Sequence, residues 1–307
     1  ILQLPEVAYK QASSIILLGC ILGMGHLAST GQLLIFRVSG ASILRITLLT
    51  LKNSLIFVLF FIFIGEFLAP TSSSFAENSR FNAMGNSSAS INQEGFWIRD
   101  GSNFINVKRN IDGIIFSGIT VIEVNKLNKI ERVIKAKSAS FDGNSLDMND
   151  SEIFSIDDSN FIDNISLKER NYYNKTVSFD QDLIDSLEKE PEDLSTWTLI
   201  KQIEFLSDNK LRSGVFEVEL YKRLIQPITL IAMILLAMLF IFGSSRDVTL
   251  GRKIFFGVAL GLSFEMLSRI ASAMALSFDF SPMLSSILPT FVVMFFAIIL
   301  LIQKSIH

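Results

Sequence analysis

Histidine is almost missing from this chain. His26 lies in or at the end of an apolar run and His307 is the last residue, so neither a histidine-based triad nor an HExxH zinc site can be assembled. The single cysteine, Cys20, sits inside the same apolar run; an intrachain disulfide is excluded, and a small packing residue is the better reading than a reactive thiol. No GxxxxGK[ST] loop occurs, so any ATP the protein uses must be bound by another chain. The nearest dinucleotide pattern, GMGHLA at residues 23–28, closes an apolar run instead of following a soluble strand. These absences point to no catalytic residues, no metal site and no cofactor held by the chain itself.

Charge is also missing, over whole stretches. None occurs from Gln11 to Phe36 or from Leu224 to Ser245. With 307 residues, 50% hydrophobic, 27 of them Phe, and a mean hydropathy of +0.44, the chain is too apolar for an ordinary soluble protein. A bilayer core takes about 20 apolar residues per helix, which predicts five spans, at about 12–28, 48–68, 224–242, 254–275 and 283–302. The short loops carry Arg37, Arg45 and Lys52, then Arg246, Arg252 and Lys253 against Asp247, and the tail carries Lys304. Basic loops favour the cytoplasmic side, so residues between Pro70 and about Glu217 are expected outside; Lys222 and Arg223 run against that trend. Five spans with the C-terminus inside place Ile1 outside, and the opening ILQLPEVAYK supplies no signal to take it there. The expectation is an upstream span and six in all.

The outer segment has a different chemistry. Residues 71–217 hold 16 Lys and Arg against 24 Asp and Glu, a net of −8, a sign that argues against nucleic acid. Asp-Gly pairs at 100–101, 112–113 and 142–143 interrupt β-rich runs, the mark of many short antiparallel strands in a sandwich or jelly roll. Leu199, Ile203 and Leu206 at helical spacing behind Ser195 predict a helix leading back to the membrane. TSSSFAENSRFNAMGNSSAS reads as a polar connector.

Gly19/Gly23 and Gly257/Gly261 have the GxxxG spacing of close helix packing. Glu265 and Arg269, four apart in a span, share one helix face and suit an ion pair. Charges there cost roughly 2.5–3.5 kcal/mol each on insertion scales. They either line a path for a charged or amphipathic substrate or form a self-neutralising pair that orients the helix. STGQLLIFRVSGASILR, at residues 29–45, is a short helical turn between two spans: Ser29 or Thr30 can cap it, Leu33, Leu34 and Phe36 can dock, and Gly40 can end it.

FIGEFLAP at residues 63–70, EGFWIRDGSNFINV at 94–107 and QPITLIAMILLAMLFIFGSSRDVTLGRKIFFGVALG at 226–261 resemble the LptF/LptG permease family of the lipopolysaccharide exporter. The IFG-x-x-R-x-V-x-x-G form at 241–251 resembles the LptG branch. The resemblance covers essentially the whole chain in order and lacks the family's first span. It implies a polytopic α-helical membrane protein with an inserted periplasmic all-β jelly roll: residues 1–69 as spans with a coupling helix at about 30–40, residues 70–217 as the jelly roll with a C-terminal helix, and residues 218–307 as three spans. It further implies the inner membrane, an LptF-like sister permease, an LptB-like ATPase dimer that uses ATP and Mg, an LptC-like bridge protein, and lipopolysaccharide as cargo. Family positions S-E-L-x-x-x-R fall on Gly31, Gln32, Leu33 and Arg37, with Phe36 beside them, as the ATPase-coupling set. The departure is Gln32, whose amide loses the charge-assisted part of a bond to an ATPase arginine. A connector whose arginine snorkels to the surface is the plainer alternative. Leu262, Phe264, Glu265, Leu267 and Arg269 are the lipid-cavity candidates. Phe96, Ile98, Phe104, Ile105, Ile119, Val121 and Phe141 are candidates for a path through the jelly roll, which an ordinary sandwich core would explain equally well. The competing function is an ABC-type mechanotransmission subunit that carries no lipid; a membrane-anchored enzyme is disfavoured by the missing nucleophile, metal cluster and nucleotide loop.

Overall fold

The computed structural model describes residues 2–83, 96–111, 114–125, 127, 129–157, 164–179, 183–184, 190–243, 250–278 and 280–306. The chain divides into two units, residues 1–78 with 214–307 and residues 79–213.

In the first unit, α1 (Leu4–Lys10) precedes α2 (Ala12–Ser29) and α3 (Gln32–Val38); α4 (Ile43–Phe63) then passes through one π-helical turn, Ile64–Leu68, into α5 (Ala69–Ala83), whose residues from Ser79 on are counted with the second unit. After α6 (Thr196–Asp208), which belongs to the second unit, come α7 (Gly214–Gly243), α8 (Leu250–Ser277) and α9 (Pro282–Ile306). Among the described residues five helices are long and apolar enough to cross a membrane: Ala12–Ser29, Ile43–Ser73, Gly214–Phe242, Ile254–Ser277 and Pro282–Ser305. α7 is the most enclosed of them. Its Leu230, Met233 and Ile234 pack with Leu17 and Ile21 of α2, Val58 and Phe61 of α4, and Phe264 of α8. Leu48, Ile56, Phe57 and Leu59 stay exposed, as side chains meant for lipid do. Hydrogen bonds tie α9 to α7: Thr229 Oγ1 and Thr290 Oγ1 lie 2.8 Å apart, and Ser286 Oγ donates to the Val218 carbonyl at 3.3 Å, polar links of the kind that join helices in lipid.

α7 begins at Gly214, ten residues before the expected start of its span, and the two ends of the α4 span differ from expectation for local reasons. α4 begins at Ile43 because Ser42 caps it, accepting from the Arg45 amide at 3.2 Å. At the other end the helix runs through Pro70 to Ala83, over the segment expected to be a connector; residues 84–90 of that segment lie outside the described residues. Proline has no N–H and its ring strikes the carbonyl four residues back, here that of Glu66. The π-turn, in which the Ala69 amide reaches the Ile64 carbonyl, widens the helix at that point. Lys222 and Arg223, the charges against the orientation trend, are turned to Glu219 at 3.9 and 3.5 Å.

The second unit is a meander of six antiparallel strands in sequential order, β1 (Phe96–Asp100), β2 (Asn103–Ile111), β3 (Ile115–Val124), β4 (Ile130–Phe141), β5 (Ser145–Asp157) and β6 (Asn164–Thr176). Register places Ile98, Ile105, Val121, Ile134 and Ile153 in one row across five strands, all buried. The turns at Gly101 and Gly143 use positive φ, 59° and 99°, which glycine adopts without cost; the turn expected at 112–113 lies outside the described residues. The sheet rolls over on itself. Lys175, near the end of β6, donates to Asn103 Oδ1 of β2 at 3.3 Å and pairs with Glu123 of β3, and Ser178 bonds Asp100 at the end of β1. Ser195 caps α6, accepting from the Thr198 amide at 3.1 Å, and Phe205 of α6 packs on the roll's core. The protein is therefore a polytopic helical membrane protein with an inserted β domain.

Candidate coupling and lipid-facing sites

α3 is a seven-residue helix opened by Gly31 at φ 77°. Ser29 and Thr30 do not cap it: their hydroxyls donate back to the His26 carbonyl at 2.9 and 3.0 Å and so close α2. Gly40, at φ 92°, ends the helix, with the Ala41 amide on the Phe36 carbonyl at 3.0 Å. Leu33 is 6% exposed and packs with Ile43, Ile46, Met238, Ile241 and Leu301. It anchors α3 to the bundle and leaves the outward surface to other residues. At 100° per residue, Ile35 and Val38 fall on the side opposite Leu33; they are 69% and 80% exposed, and Phe36 is 56% exposed. Gln32 and Arg37 are exposed as well, Arg37 flanking the Leu33 side. Taking each such apolar side chain out of water is worth about 1.5–3 kcal/mol, so this face favours a cover, whether lipid or a partner protein. Ile35 and Val38 were missed at the level of sequence because every interior position of the helix except Arg37 is apolar, and pattern alone cannot choose the inner side.

The five cavity candidates on α8 divide between two faces. Gly257 and Gly261 let α2 approach, and a Cβ added at either would meet Ile21 Cδ1 at 2.7 Å or Ser14 Oγ at 3.1 Å. Gly19 and Gly23 have nothing within 4 Å of such a Cβ, so among the described residues one of the two GxxxG pairs is a contact within the chain. Phe264 joins the core on this same face. Glu265 accepts from Gln11 Nε2 at 3.2 Å and from Arg269 Nη2 at 2.8 Å. Leu262 and Leu267 point away from the bundle with Met266 and Ile270, and the Arg269 side chain is 76% exposed. Arg269 thus combines an ion pair on its own helix with an open outer side. Gln11, a neutral amide just before an apolar run, gave no sequence signal of this role.

In the β domain Ile98, Ile105, Ile119, Val121 and Phe141 share the buried inner face. Phe104 stands on the other face, half-buried, with the Arg99 guanidinium 5.3 Å from its ring centre. The Cα of Phe96 pairs with Val107; its side chain lies outside the described residues. Near the end of β3 Glu123 receives Lys175, Arg132 Nε at 3.4 Å and Tyr173 Oη at 3.4 Å.

Residues 1–303 match the family described as the lipopolysaccharide export system permease LptF/LptG. The chain belongs to that family. It is 27% identical over 291 residues to the lipopolysaccharide export system permease protein LptG of Escherichia coli K12, covering 94% of this chain and 80% of that one. The LptG of Haemophilus influenzae is 27% identical over 282 residues, 91% and 78% of the two chains. As an LptF/LptG permease this is a multi-pass membrane protein of lipopolysaccharide export. Of the motifs that carried the resemblance, FIGEFLAP holds the π-turn and Pro70; residues 244–249 of the IFG motif, Arg246 and Asp247 among them, lie outside the described residues.

Proposed function

We propose that this permease is the LptG-like half of an ATP-driven exporter in the inner membrane, working with an LptF-like sister permease, an LptB-like ATPase dimer and an LptC-like bridge, its β domain in the periplasm at residues 70–217. The observation that carries the reading is α3, a helix anchored by Leu33 that presents Ile35 and Val38 on the opposite side and leaves Gln32, Phe36 and Arg37 exposed around its flanks. Such a helix transmits force: what pushes the exposed side moves α2 and α4, to which it is joined at both ends. Gln32 offers an amide where the family has a carboxylate, so Arg37 and the apolar residues carry more of the contact. ATP and Mg belong to the partner.

The cargo is amphipathic and anionic. Leu262, Leu267 and the open side of Arg269 offer it an apolar wall and a cation, while Glu265, held by Gln11 and Arg269, is kept from repelling it. Within the β domain the inner-face residues fill one another's space, so a lipid path there requires the roll to open. The test is purification of the tagged chain from its own cells in mild detergent, followed by mass spectrometry. A sister permease, a soluble ATPase and lipopolysaccharide are expected together. Recovery with an ATPase but no lipid, and no lipid captured by photo-crosslinkers at Leu262, Leu267 or Ile105, would refute the carrier role.

A further inference from the structure

The outer end of the helical unit holds an arrangement that neither the coupling helix nor the cavity explains. Gly65, inside the π-turn, is buried, and a Cβ built there would overlap the ring of Tyr9 from α1. The ring therefore occupies a notch that only glycine leaves. A second tie lies two turns on, where Ser73 Oγ donates to Glu6 Oε2 at 2.6 Å while Lys10 pairs with Glu6 Oε1 at 2.6 Å. Glu219 and Arg223 of α7 and Glu66 of the π-turn are the charged groups around Tyr9, and burial pushes its hydroxyl up to about 12. Pro70 supplies the reason for the π-turn, as argued above, and single π-turns inside α-helices recur at functional positions.

We propose that Tyr9 in the Gly65 notch, with the Glu6–Ser73 bond, is a strut that holds the outer end of the α4 span in its π-turned register, so that α1 with α2 and the α5 helix that leaves the membrane move as one body during lipid release. This rests on the permease reading. Tyr9, Gly65 and Ser73 are positioning residues; none is placed against lipid. If the π-turn relaxed to α-helix, every residue beyond it would rotate by roughly 100°, carrying Ser73 away from Glu6.

Two measurements on the complete complex test it. In a Cys20→Ala background, spin labels at Leu4→Cys and Thr71→Cys, both exposed positions, report the distance between α1 and α5. A single narrow distribution is expected, broadened by Gly65→Ala, by Tyr9→Ala and by Ser73→Ala, and kept by Tyr9→Phe. ATP-driven release of lipopolysaccharide to an acceptor is expected to fall at least fivefold in Gly65→Ala with ATP hydrolysis retained, and the Tyr9→Ala/Gly65→Ala pair should be no worse than Tyr9→Ala alone, because the clash needs the ring. Where Gly65→Ala fails to assemble, Ser73→Ala, which adds no bulk, gives the same reading. Unchanged distances in these variants, or losses in release that multiply, overturn the strut. A wild-type complex that releases no lipid overturns the permease reading instead, and the distances still decide the strut.

Discussion

Replacing Leu33 by alanine separates anchoring from docking within one helix. Leu33 is the buried side chain of α3, and removing a buried leucine costs at least about 2 kcal/mol. A seven-residue helix has no stability of its own to absorb that loss, since isolated helices below about 12 residues are marginal. At 1.4 kcal/mol per factor of ten, the detached population of α3 should rise roughly 30-fold. The reporters are the amides of Leu34 and Ile35 on the Gly31 carbonyl, Ser39 on Ile35 and Ala41 on Phe36, read by hydrogen exchange in the purified complex. Ile35→Ala removes an exposed side chain and should leave the same amides protected, within about 0.5 kcal/mol, while weakening retention of the ATPase. Equal loss of protection in both variants, or none in Leu33→Ala, would falsify the division of α3 into an anchored and a presented face.

Gly257→Leu should lower the melting temperature of the purified chain in detergent by forcing α8 off α2, an overpacking cost of about 1–3 kcal/mol, whereas Gly19→Ala and Gly23→Ala, facing open space, should leave it unchanged. Both tryptophans, Trp97 and Trp197, lie in the β unit, so their fluorescence follows its unfolding in urea; Ile105→Ala should cost about 2–4 kcal/mol and Phe104→Ala about 1 kcal/mol or less. Asp142 accepts the amides of Asn144 and Ser145 at 3.1 and 2.8 Å, the first being the main reason its carboxyl is held below the usual carboxylate range. Because the folded value is the lower one, the turn's contribution is complete above the ordinary carboxylate pKa of about 3.9 and is lost as pH falls through the folded value. Exchange at Asn144 and Ser145 should accelerate only below that point, and Asp142→Ala should abolish the dependence.

What could be read from the sequence was local. Apolar length alone marks the spans, Ser195 announces its cap, and Gly101 and Gly143 announce turns that need positive φ. The failures were relations between elements. Ser29 and Thr30 look like caps for α3, but a preceding helix was within reach and took both hydroxyls. Leu33 and Phe36 are equally apolar, and what decides between them is the position of Met238 and Leu301, about two hundred residues and more along the chain. Strand alternation divides Phe104 from Ile105 without saying which is inside, and only the rolling of β6 over β2 and β3, pinned by Lys175 on Glu123, defines an interior. Pro70 could have flagged a helical irregularity; that Tyr9 would fill it could not be foreseen.

The charged residues of the helical unit bear on how a membrane protein can move. Glu219 is partnered by Lys222 and Arg223 on its own helix, an arrangement that travels with α7 whatever α7 does. Glu265 is different, because Arg269 shares its helix but Gln11 belongs to the start of α2. A rigid tilt of α8 keeps the first bond and stretches the second. Were an anionic lipid phosphate to draw Arg269 away from Glu265, an unpaired carboxylate in such a position would be costly. Gln11 then becomes the donor that keeps Glu265 satisfied while Arg269 turns outward, which requires α2 and α8 to stay together during cargo capture. The close approach of α2 at Gly257 and Gly261 suits that requirement.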